Sequence, residues 1–425
     1  MEIRRHRLAN GLRVAVAPIA GLRSVAALLA IEAGQWFEPA GRPGVARFVA
    51  QALLRGTATR AASAWADALD SIGAAARLDV GLHAATFSAQ SLADDLAVLL
   101  ELVADAVVRP RFGPEEVELV RQQTLAQIEE DERNTRAVVE RAWRELAYPV
   151  GHPFRARPIG DADVVRAVTA DELRAHHRRA IRPRGAVLVV AGGAQADRVF
   201  EAAEGAFAGW SSAAPQDGRP IPEATLASAL RRLVVVPDKT QSDVMIGWPG
   251  LPRNDPRFVA ARVTNMVFAA DTFASRAGHV VRDELGLAYY VFSTLGSSRG
   301  QSPWIVRMGV NPVNVERAIS VTLEELRKIV ESKVAPADLA LAQDKLVGEL
   351  DVSRESPGGV AAQVLEGELF ELGPDYVERY PRELRAVTRE QVVETARTFL
   401  PPERHALAIA GPPLPEAPRA VSEAA

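Results

Sequence analysis

The stretch AVTADELRAHHRRAIRPRGAVLVVAGG, residues 167–193, decides the fold because its two ends recur later in the chain. Its first part, AVTADEL at Ala167–Leu173, matches AVTREQV at Ala386–Val392, 219 residues further on. The same offset carries its last part, PRGAVLVVAGG at Pro183–Gly193, onto PERHALAIAGP at Pro402–Pro412. A helical segment and a β-rich run therefore follow each other twice in the same order.

A third match lies upstream of these segments. GPEEVELVRQQTLAQI at Gly113–Ile128 aligns with APADLALAQDKLVGEL at Ala335–Leu350, at an offset of 222 residues. Three matches in one order at nearly one offset indicate a tandem duplication. The repeated unit is about 200 residues, far longer than the unit of a solenoid, so a whole domain has been duplicated.

Each copy contains both strands and helices. GLRVAVAP (residues 11–18) in the first copy and RLVVVPD (residues 232–238) in the second read as strands bounded by turn residues, and long helical stretches follow each. Strands grouped with blocks of helices, without strict alternation, are typical of the α+β class. The sequence therefore predicts two tandem homologous α+β domains, each with a mixed or antiparallel sheet covered by helices.

The domain boundaries follow from a change in composition between the copies. SSAAPQDGRPIPEA, at Ser211–Ala224, is polar and rich in proline and glycine, as linkers are. We predict an N-terminal domain at residues 1–212, a linker at 213–226, a C-terminal domain at 227–415 and a tail at 416–425.

The composition excludes several classes of function. The net charge is −4, with 50 Lys and Arg against 54 Asp and Glu, so the basic surplus of a nucleic-acid-binding protein is missing. The absence of cysteine excludes disulfides, thiolate metal sites and cysteine nucleophiles. No apolar run reaches the roughly 18 residues of a membrane span. Because the N-terminal sequence lacks the apolar core of a signal peptide, we expect a cytoplasmic location, or a periplasmic one if a leader has been removed.

Four segments in chain order resemble the insulinase/pitrilysin family of zinc metallopeptidases, in the branch that includes mitochondrial processing peptidase. They are NGLRVAV near the start, AGQWFEPAGRPGVARFVAQALLRGT (Ala33–Thr57), HPFRARPIGDADVVRAVTADEL (152–173) and SRAGHVVRDELGLAYYVFSTL (Ser275–Leu295). The resemblance covers nearly the whole chain. It implies two homologous α+β halves folded as a clam shell, which agrees with the duplication.

The zinc motif of that family is missing from this chain. Active members carry His-x-x-Glu-His on a helix, where two imidazoles bind zinc and the Glu is the general base. At those positions this sequence has Arg47, Ala50 and Gln51, and the third ligand, a Glu in the family, falls at Gln127. Arginine is permanently cationic and repels a metal. We therefore expect no metal in this chain, and Arg47 paired with a carboxylate such as Glu130.

The remaining histidines predict no substitute metal site. His176 has Glu172 one helical turn before it, and His279 has Asp283 one turn after it. Each is a single histidine–carboxylate pair without a third ligand, so we expect ordinary surface pairs.

The second-half signature of the family is retained. Its Arg/Tyr pair, seven residues apart, reads here as Arg282 and Tyr289. Arg282 should lie near the end of a helix that stops at Leu285-Gly286, and Tyr289 should begin a strand, with Tyr290 on the opposite face. The resemblance implies that Tyr289 donates a hydrogen bond to the oxyanion and that Arg282 holds the substrate carbonyl, in a zinc site belonging to another half or subunit.

Two hypotheses remain open. In the first, the chain is the non-zinc subunit of a heterodimeric metallopeptidase, and a homologous partner with His-x-x-Glu-His holds the zinc that cleaves a peptide substrate. In the second, the chain is a non-catalytic scaffold or peptide-binding subunit in which the Arg/Tyr pair only packs. The helix dipole favours an Arg at a helix end, and Tyr is common in strands, so the pair alone does not decide between them.

Overall fold

Strands occupy the core of both halves of the chain. The computed structural model describes residues 2–211 and 221–415, so the predicted tail and most of the predicted linker lie outside the described residues. The strands are β1 (Arg4–Arg7), β2 (Arg13–Pro18), β3 (Ser24–Ile31), β4 (Ala75–Val80), β5 (Ala85–Leu92), β6 (Val187–Gly192), β7 (Leu230–Val235), β8 (Ser242–Pro249), β9 (Ala288–Leu295), β10 (Pro303–Val310) and β11 (Ala406–Gly411).

Helices fill most of the sequence between the strands. In the first half they are α1 (Val45–Leu53), α2 (Ala62–Ser71), α3 (Leu96–Val108), α4 (Pro114–Arg133), α5 (Thr135–Ala147), α6 (Ala162–Ala167), α7 (Ala170–Ala180) and α8 (Ala196–Phe207). In the second half they are α9 (Phe258–Phe268), α10 (Arg276–Gly278), α11 (Val315–Val330), α12 (Pro336–Ser353), α13 (Pro357–Leu369), α14 (Tyr376–Ala386) and α15 (Arg389–Phe399). Among the described helices, none is long and apolar enough to cross a membrane.

The two sheets have the same topology. The first sheet has the strand order β1-β2-β6-β3-β5-β4 and the second has β7-β11-β8-β10-β9. When β1 is set aside, each strand of one sheet has an equivalent at the same place in the other. In both sheets one pair is parallel, β2 with β6 and β7 with β11, and the rest are antiparallel. The predicted α+β class, built twice in tandem, is confirmed.

The two halves exchange a helix. Helix α5 belongs to the first half by sequence but packs against β8, β11 and β7 of the second sheet, and α13 of the second half packs against β3, β6 and β2 of the first. The two helices have the same length of 13 residues. Each buries an apolar face on the sheet of the other half, so neither sheet is covered by its own half alone.

Small residues allow the exchanged helices to approach the strands closely. Ala406, Ala408 and Ala410 alternate along β11 beneath α5 and are fully buried. The indole of Trp143, on α5, is 1% exposed and donates from Nε1 to the Ala406 carbonyl at 3.1 Å. A Cβ at Gly247 would lie 2.8 Å from Trp143 Cζ2, so this strand position must be a glycine for the ring to fit.

We expect Trp143→Ala to lower the free energy of unfolding by about 3–5 kcal/mol, because it leaves a cavity between the two halves and an unpaired carbonyl. Urea unfolding followed by circular dichroism measures the change. Leu341→Ala, at a side chain 52% exposed on α12, is the control and should have little effect. A loss at Trp143 no larger than that of the control would contradict the exchange as a source of stability.

Candidate functional site

The helix that carries Arg47, Ala50 and Gln51 begins beside a half-buried carboxyl group, that of Glu38. Glu38 Oε1 accepts hydrogen bonds from the backbone N–H groups of Gly44, at 2.8 Å, and Ala46, at 3.0 Å, which are otherwise unpaired at the start of α1. Gly44 has φ +91°, and a Cβ there would lie 2.6 Å from the backbone of Gly160. Burial raises the pKa of Glu38 to about 8, against the smaller opposing effect of the two donors.

The side chains at the three motif positions on α1 are packed, wholly or in part, against the rest of the protein. Arg47 and Gln51 lie one turn apart on one half-buried face, and Ala50 is buried. The Gln51 side-chain amide lies 3.1 Å from Thr124 Oγ1 on α4. Thr124 also bonds to the Val120 carbonyl at 2.7 Å and has only one hydroxyl proton. That single proton is therefore shared between two acceptors, the Val120 carbonyl and the Gln51 Oε1 atom.

Gln127, at the position expected for the third ligand, lies one turn beyond Thr124 on α4. Its side chain is exposed and donates to Asp131 Oδ1 at 3.0 Å. The expected pair between Arg47 and Glu130 is wrong: the ion pairs of the described residues include none between them. Glu130 instead accepts a long contact of 3.5 Å from Gln127 on its own helix.

These residues do not fit a zinc ion. A catalytic zinc needs three protein ligands, and this site offers a guanidinium, a methyl group and two amides. Over residues 2–211 and 221–415, no three His, Cys, Asp or Glu side chains are grouped so that they could hold a metal.

One of the two expected histidine pairs is not formed. Glu172 binds Arg42 at 2.6 Å, so His176 does not pair with it. His176 is buried, its Nδ1 lies 3.1 Å from Arg179, and burial lowers its pKa to about 3. The other pair is an exposed cluster, in which the ring nitrogens of His279 lie 4.0 Å from Asp283 and 3.1 Å from Glu284.

Arg282 and Tyr289 lie together at an edge of the second sheet. Arg282 is in a π-helical turn, His279–Glu284, that continues α10, and Gly286 ends it with φ +59°. Single π-helical turns occur often at functional sites. The guanidinium donates from Nε to the Tyr289 carbonyl at 3.2 Å and from Nη1 to Asp283 at 2.8 Å. The sequence predicted this neighbourhood, although it did not predict the π form of the helix.

The two adjacent tyrosines face opposite sides of β9. Tyr289 is 80% exposed, whereas Tyr290 is half-buried and donates from its hydroxyl to Asp243. Because β9 is the edge strand of its sheet, Tyr289 stands beside backbone groups that no strand of residues 2–211 or 221–415 covers.

Phe273 belongs to the same surface and was missed by sequence reasoning. Its ring is 68% exposed, and the Arg282 guanidinium lies 4.6 Å from its centre. The loop that carries it is fixed by Asp271, which accepts from the backbone N–H groups of Phe273 and Ala274, both at 2.8 Å. An aromatic residue in the polar turn AADTFAS was the available signal.

The raised pKa of Glu38 predicts that the free energy of unfolding depends on pH. Since the fold disfavours the ionised carboxyl, the free energy of unfolding should fall as the pH rises from about 5 to about 8, by at most about 1.4 kcal/mol per pH unit. Glu38→Gln keeps an acceptor oxygen and removes the titration, so its dependence on pH should be flatter. Thermal unfolding at pH 5 and pH 8 measures this, with Glu101→Gln as an exposed control; identical profiles for Glu38→Gln and wild type would contradict it.

Introducing metal ligands at these positions should create a metal site. We expect the triple variant Arg47→His, Gln51→His and Gln127→Glu to retain close to one zinc per chain after dialysis, because two imidazoles one turn apart and a carboxylate on α4 then converge. Metal analysis by mass spectrometry measures the content, and wild type should retain none. The double variant that keeps Gln127 is the control and should hold zinc more weakly. A triple variant no richer in zinc than wild type would show that the positions do not converge.

Comparisons with known proteins place both halves in one family. Residues 13–154 match the model described as insulinase (peptidase family M16), and residues 167–346 match the model described as peptidase M16 inactive domain. An uncharacterized zinc protease of Streptomyces coelicolor is 26% identical over 417 residues, which cover 96% of this chain and 90% of that protein. An uncharacterized zinc protease of Bacillus subtilis is 24% identical over 414 residues, 96% of this chain and 98% of that protein.

Solved structures share the fold. A Pseudomonas fluorescens structure titled peptidase M16 inactive domain superposes with a TM-score of 0.90 at 21% identity, covering 98% of this chain and 100% of that one. A protease from Helicobacter pylori gives 0.89 at 18% identity, covering 97% and 99%. Together with the duplicated topology and the matches to both halves, these findings lead to one conclusion. This chain is a member of the insulinase (M16) family of peptidases.

Proposed function

We propose that this chain is the non-zinc subunit of a heterodimeric metallopeptidase and that it supplies Arg282 and Tyr289 to the site of a zinc-bearing partner. The partner would be a homologous chain with His-x-x-Glu-His, and the substrate a peptide. The relatives named zinc proteases make a homologous metallopeptidase the natural partner. Because the motif positions of this chain do not fit zinc, its own contribution to hydrolysis would come from the second half.

The exposure of Tyr289 is the observation that carries the proposal. A tyrosine that serves packing in a strand is buried, as the neighbouring Tyr290 partly is. Tyr289 is 80% exposed, and within the described part of the chain its hydroxyl makes no hydrogen bond. Packing therefore does not explain this side chain, whereas a role towards a molecule outside the chain does.

Arg282 is arranged to act beside it. Its Nε and Nη1 are bonded to Tyr289 and Asp283, which fix the plane of the guanidinium. Its Nη2 makes no hydrogen bond to the residues that the structure describes, so two N–H donors remain for a substrate carbonyl. The stacked ring of Phe273 adds an apolar surface on which a partner or substrate could pack.

In the proposed reaction one of these side chains stabilises the charge of the oxyanion, and the other orients the peptide substrate. The Tyr289 hydroxyl donates to the oxygen that becomes negative when water adds to the scissile carbonyl, and Arg282 orients the adjacent part of the peptide. The zinc of the partner would supply the activated water. Every step that needs a metal thus lies in the partner.

The experiment that tests the proposal uses a homologous chain with His-x-x-Glu-His, which is first to be identified in the same genome. Cleavage of a quenched fluorescent peptide is measured for each purified chain alone and for their mixture, with and without a chelator. Activity in the mixture alone, abolished by the chelator, supports the proposal. A mixture no more active than the partner alone favours the scaffold hypothesis.

In the active mixture we expect Tyr289→Phe to lower kcat by about 100- to 1000-fold, as the loss of one oxyanion donor does, with little change in KM or in assembly. Tyr290→Phe is the matched control, since it removes a hydroxyl one residue away. That variant loses the bond to Asp243 and should lower the unfolding temperature while kcat stays within about twofold. Full activity of Tyr289→Phe would remove the catalytic role.

A further inference from the structure

The second sheet has an open edge at a place that the first sheet covers. In the first sheet β2 lies between β6 and β1, and β1 pairs with it antiparallel. Strand β7 is the equivalent of β2, since each pairs parallel with the strand that follows the repeated helix, β11 or β6. In the described part of the chain no strand pairs with the other side of β7. The architecture thus accepts an antiparallel strand here, and the second half leaves its place open.

The open side of β7 carries the backbone groups of three residues. The N–H groups of Leu230 and Val236 donate to carbonyls on the β11 side, at 2.8 Å and 2.7 Å. Because successive residues of a strand direct their backbone groups to alternate sides, those of Arg231, Leu233 and Val235 point away from β11. Within residues 2–211 and 221–415, these six groups face no strand to which they could bond.

The side chains of β7 leave this edge apolar. Leu233 and Val235 are 42% and 52% exposed. Both arginines of the strand are already paired within the chain, Arg231 with a carboxylate on α11 and Arg232 with one on α5. The strand itself contains no proline. The edge therefore lacks the proline and the unpaired charges that usually prevent one sheet from pairing with another.

Strand β1, the corresponding outer edge of the first sheet, is protected in the usual way. Its sequence is RRHR, and all four side chains are exposed. Two molecules placed antiparallel along β1 would bring Arg4 opposite Arg7 and Arg5 opposite His6. Basic residues directly opposite each other are destabilising, so this edge repels a second molecule. The two outer edges of one duplicated architecture thus differ in what they admit.

We propose that β7 is a dimerisation edge, at which two molecules of this chain pair antiparallel. The two five-stranded sheets would join there into one continuous sheet. The proposal does not depend on the proposed function. Because β9 is the opposite edge of the same sheet, the pairing leaves Arg282 and Tyr289 accessible.

The sequence of β7 is self-complementary when Leu233 lies on the two-fold axis. Leu233 then faces its own copy, and Arg231 faces Val235 of the other molecule, so all three outward-facing residues bond across the interface. Between them, Arg232 faces Val234. No arginine faces an arginine in this register, whereas an axis at Arg232 would place two of them directly opposite each other.

The paired arginines also determine the chemistry of the occupant. An acidic strand could bind Arg231 or Arg232 only by displacing the carboxylates that already hold them, Glu316 and Glu145. A second molecule brings only arginines that are paired in the same way. It also removes the apolar side chains of both strands from water, which favours association.

Sedimentation velocity of the purified chain from about 1 to about 100 μM measures the equilibrium between monomer and dimer, which mass action makes dependent on concentration. We expect dimers at the upper end of this range. Leu233→Lys places two ammonium groups opposite each other at the axis and should weaken dimerisation at least about tenfold. Leu341→Lys, at a side chain 52% exposed on α12, is the matched control and should leave the dimer unchanged. A chain that stays monomeric, or a dimer that Leu233→Lys does not weaken, would overturn the proposal.

A single cysteine tests the register, because the chain contains none of its own. Opposite residues of a hydrogen-bonded antiparallel pair have Cα atoms about 5.5 Å apart, within the range that a disulfide spans. Leu233→Cys should therefore form a covalent dimer on mild oxidation, seen by non-reducing electrophoresis. Val352→Cys, at a side chain 73% exposed on α12, should not.

The cysteine variants also decide the matter if Leu233→Lys does not fold, as judged by circular dichroism. Cross-linking of Leu233→Cys no faster than that of Val352→Cys would contradict the pairing of β7 with itself. Both measurements use this chain alone, without a partner or an activity, so their failure leaves the proposed function untouched.

Discussion

The packing of each exchanged helix on the other half's sheet is the interaction on which the rest of the molecule depends. It covers faces of both sheets that their own halves leave apolar, and it fixes the halves to each other through side chains such as Trp143. A duplicated domain could exist as two independent domains joined by a linker. Here the exchange packs the two copies against each other, with α13 on β2, β3 and β6 and α5 on β7, β8 and β11.

Helix α1 is held in place by contacts within the protein. Its N-terminus is stabilised by Glu38 and Gly44, and its apolar face is buried against α4 and α7. A helix held in this way can lose its ligands without losing its position, which is why Arg47 and Gln51 are compatible with an intact fold. Arg282 and Tyr289, on the surface of the second half, are subject to a different constraint. Exposed residues such as Tyr289 contribute little to folding, so the fold does not explain their presence.

The sequence predicted the features that repeat and missed those that depend on distant contacts. The duplication, the α+β class, the strand at Tyr289 and the end of the helix at Gly286 all follow from local patterns. The exchange of helices did not follow, because an amphipathic helix such as α5 does not indicate which sheet it will cover. The predicted ion pair between Arg47 and Glu130 was wrong for a similar reason. Pairing of side chains on two different helices depends on how the helices are aligned. Phe273 was missed because a single aromatic residue in a turn forms no periodic sequence pattern.

The helix exchange also has a consequence for how the chain folds during its synthesis. The first sheet is complete when Gly192 has been synthesised, but the helix that covers its inner face begins only at Pro357. At a bacterial or eukaryotic rate of about 5–20 residues per second, the ribosome needs on the order of 10–30 s to supply that helix. During that interval the inner face of the first sheet, lined with alanine and valine, stays open to water or to a chaperone. The native state of the first half is therefore reached only after most of the second half has left the ribosome.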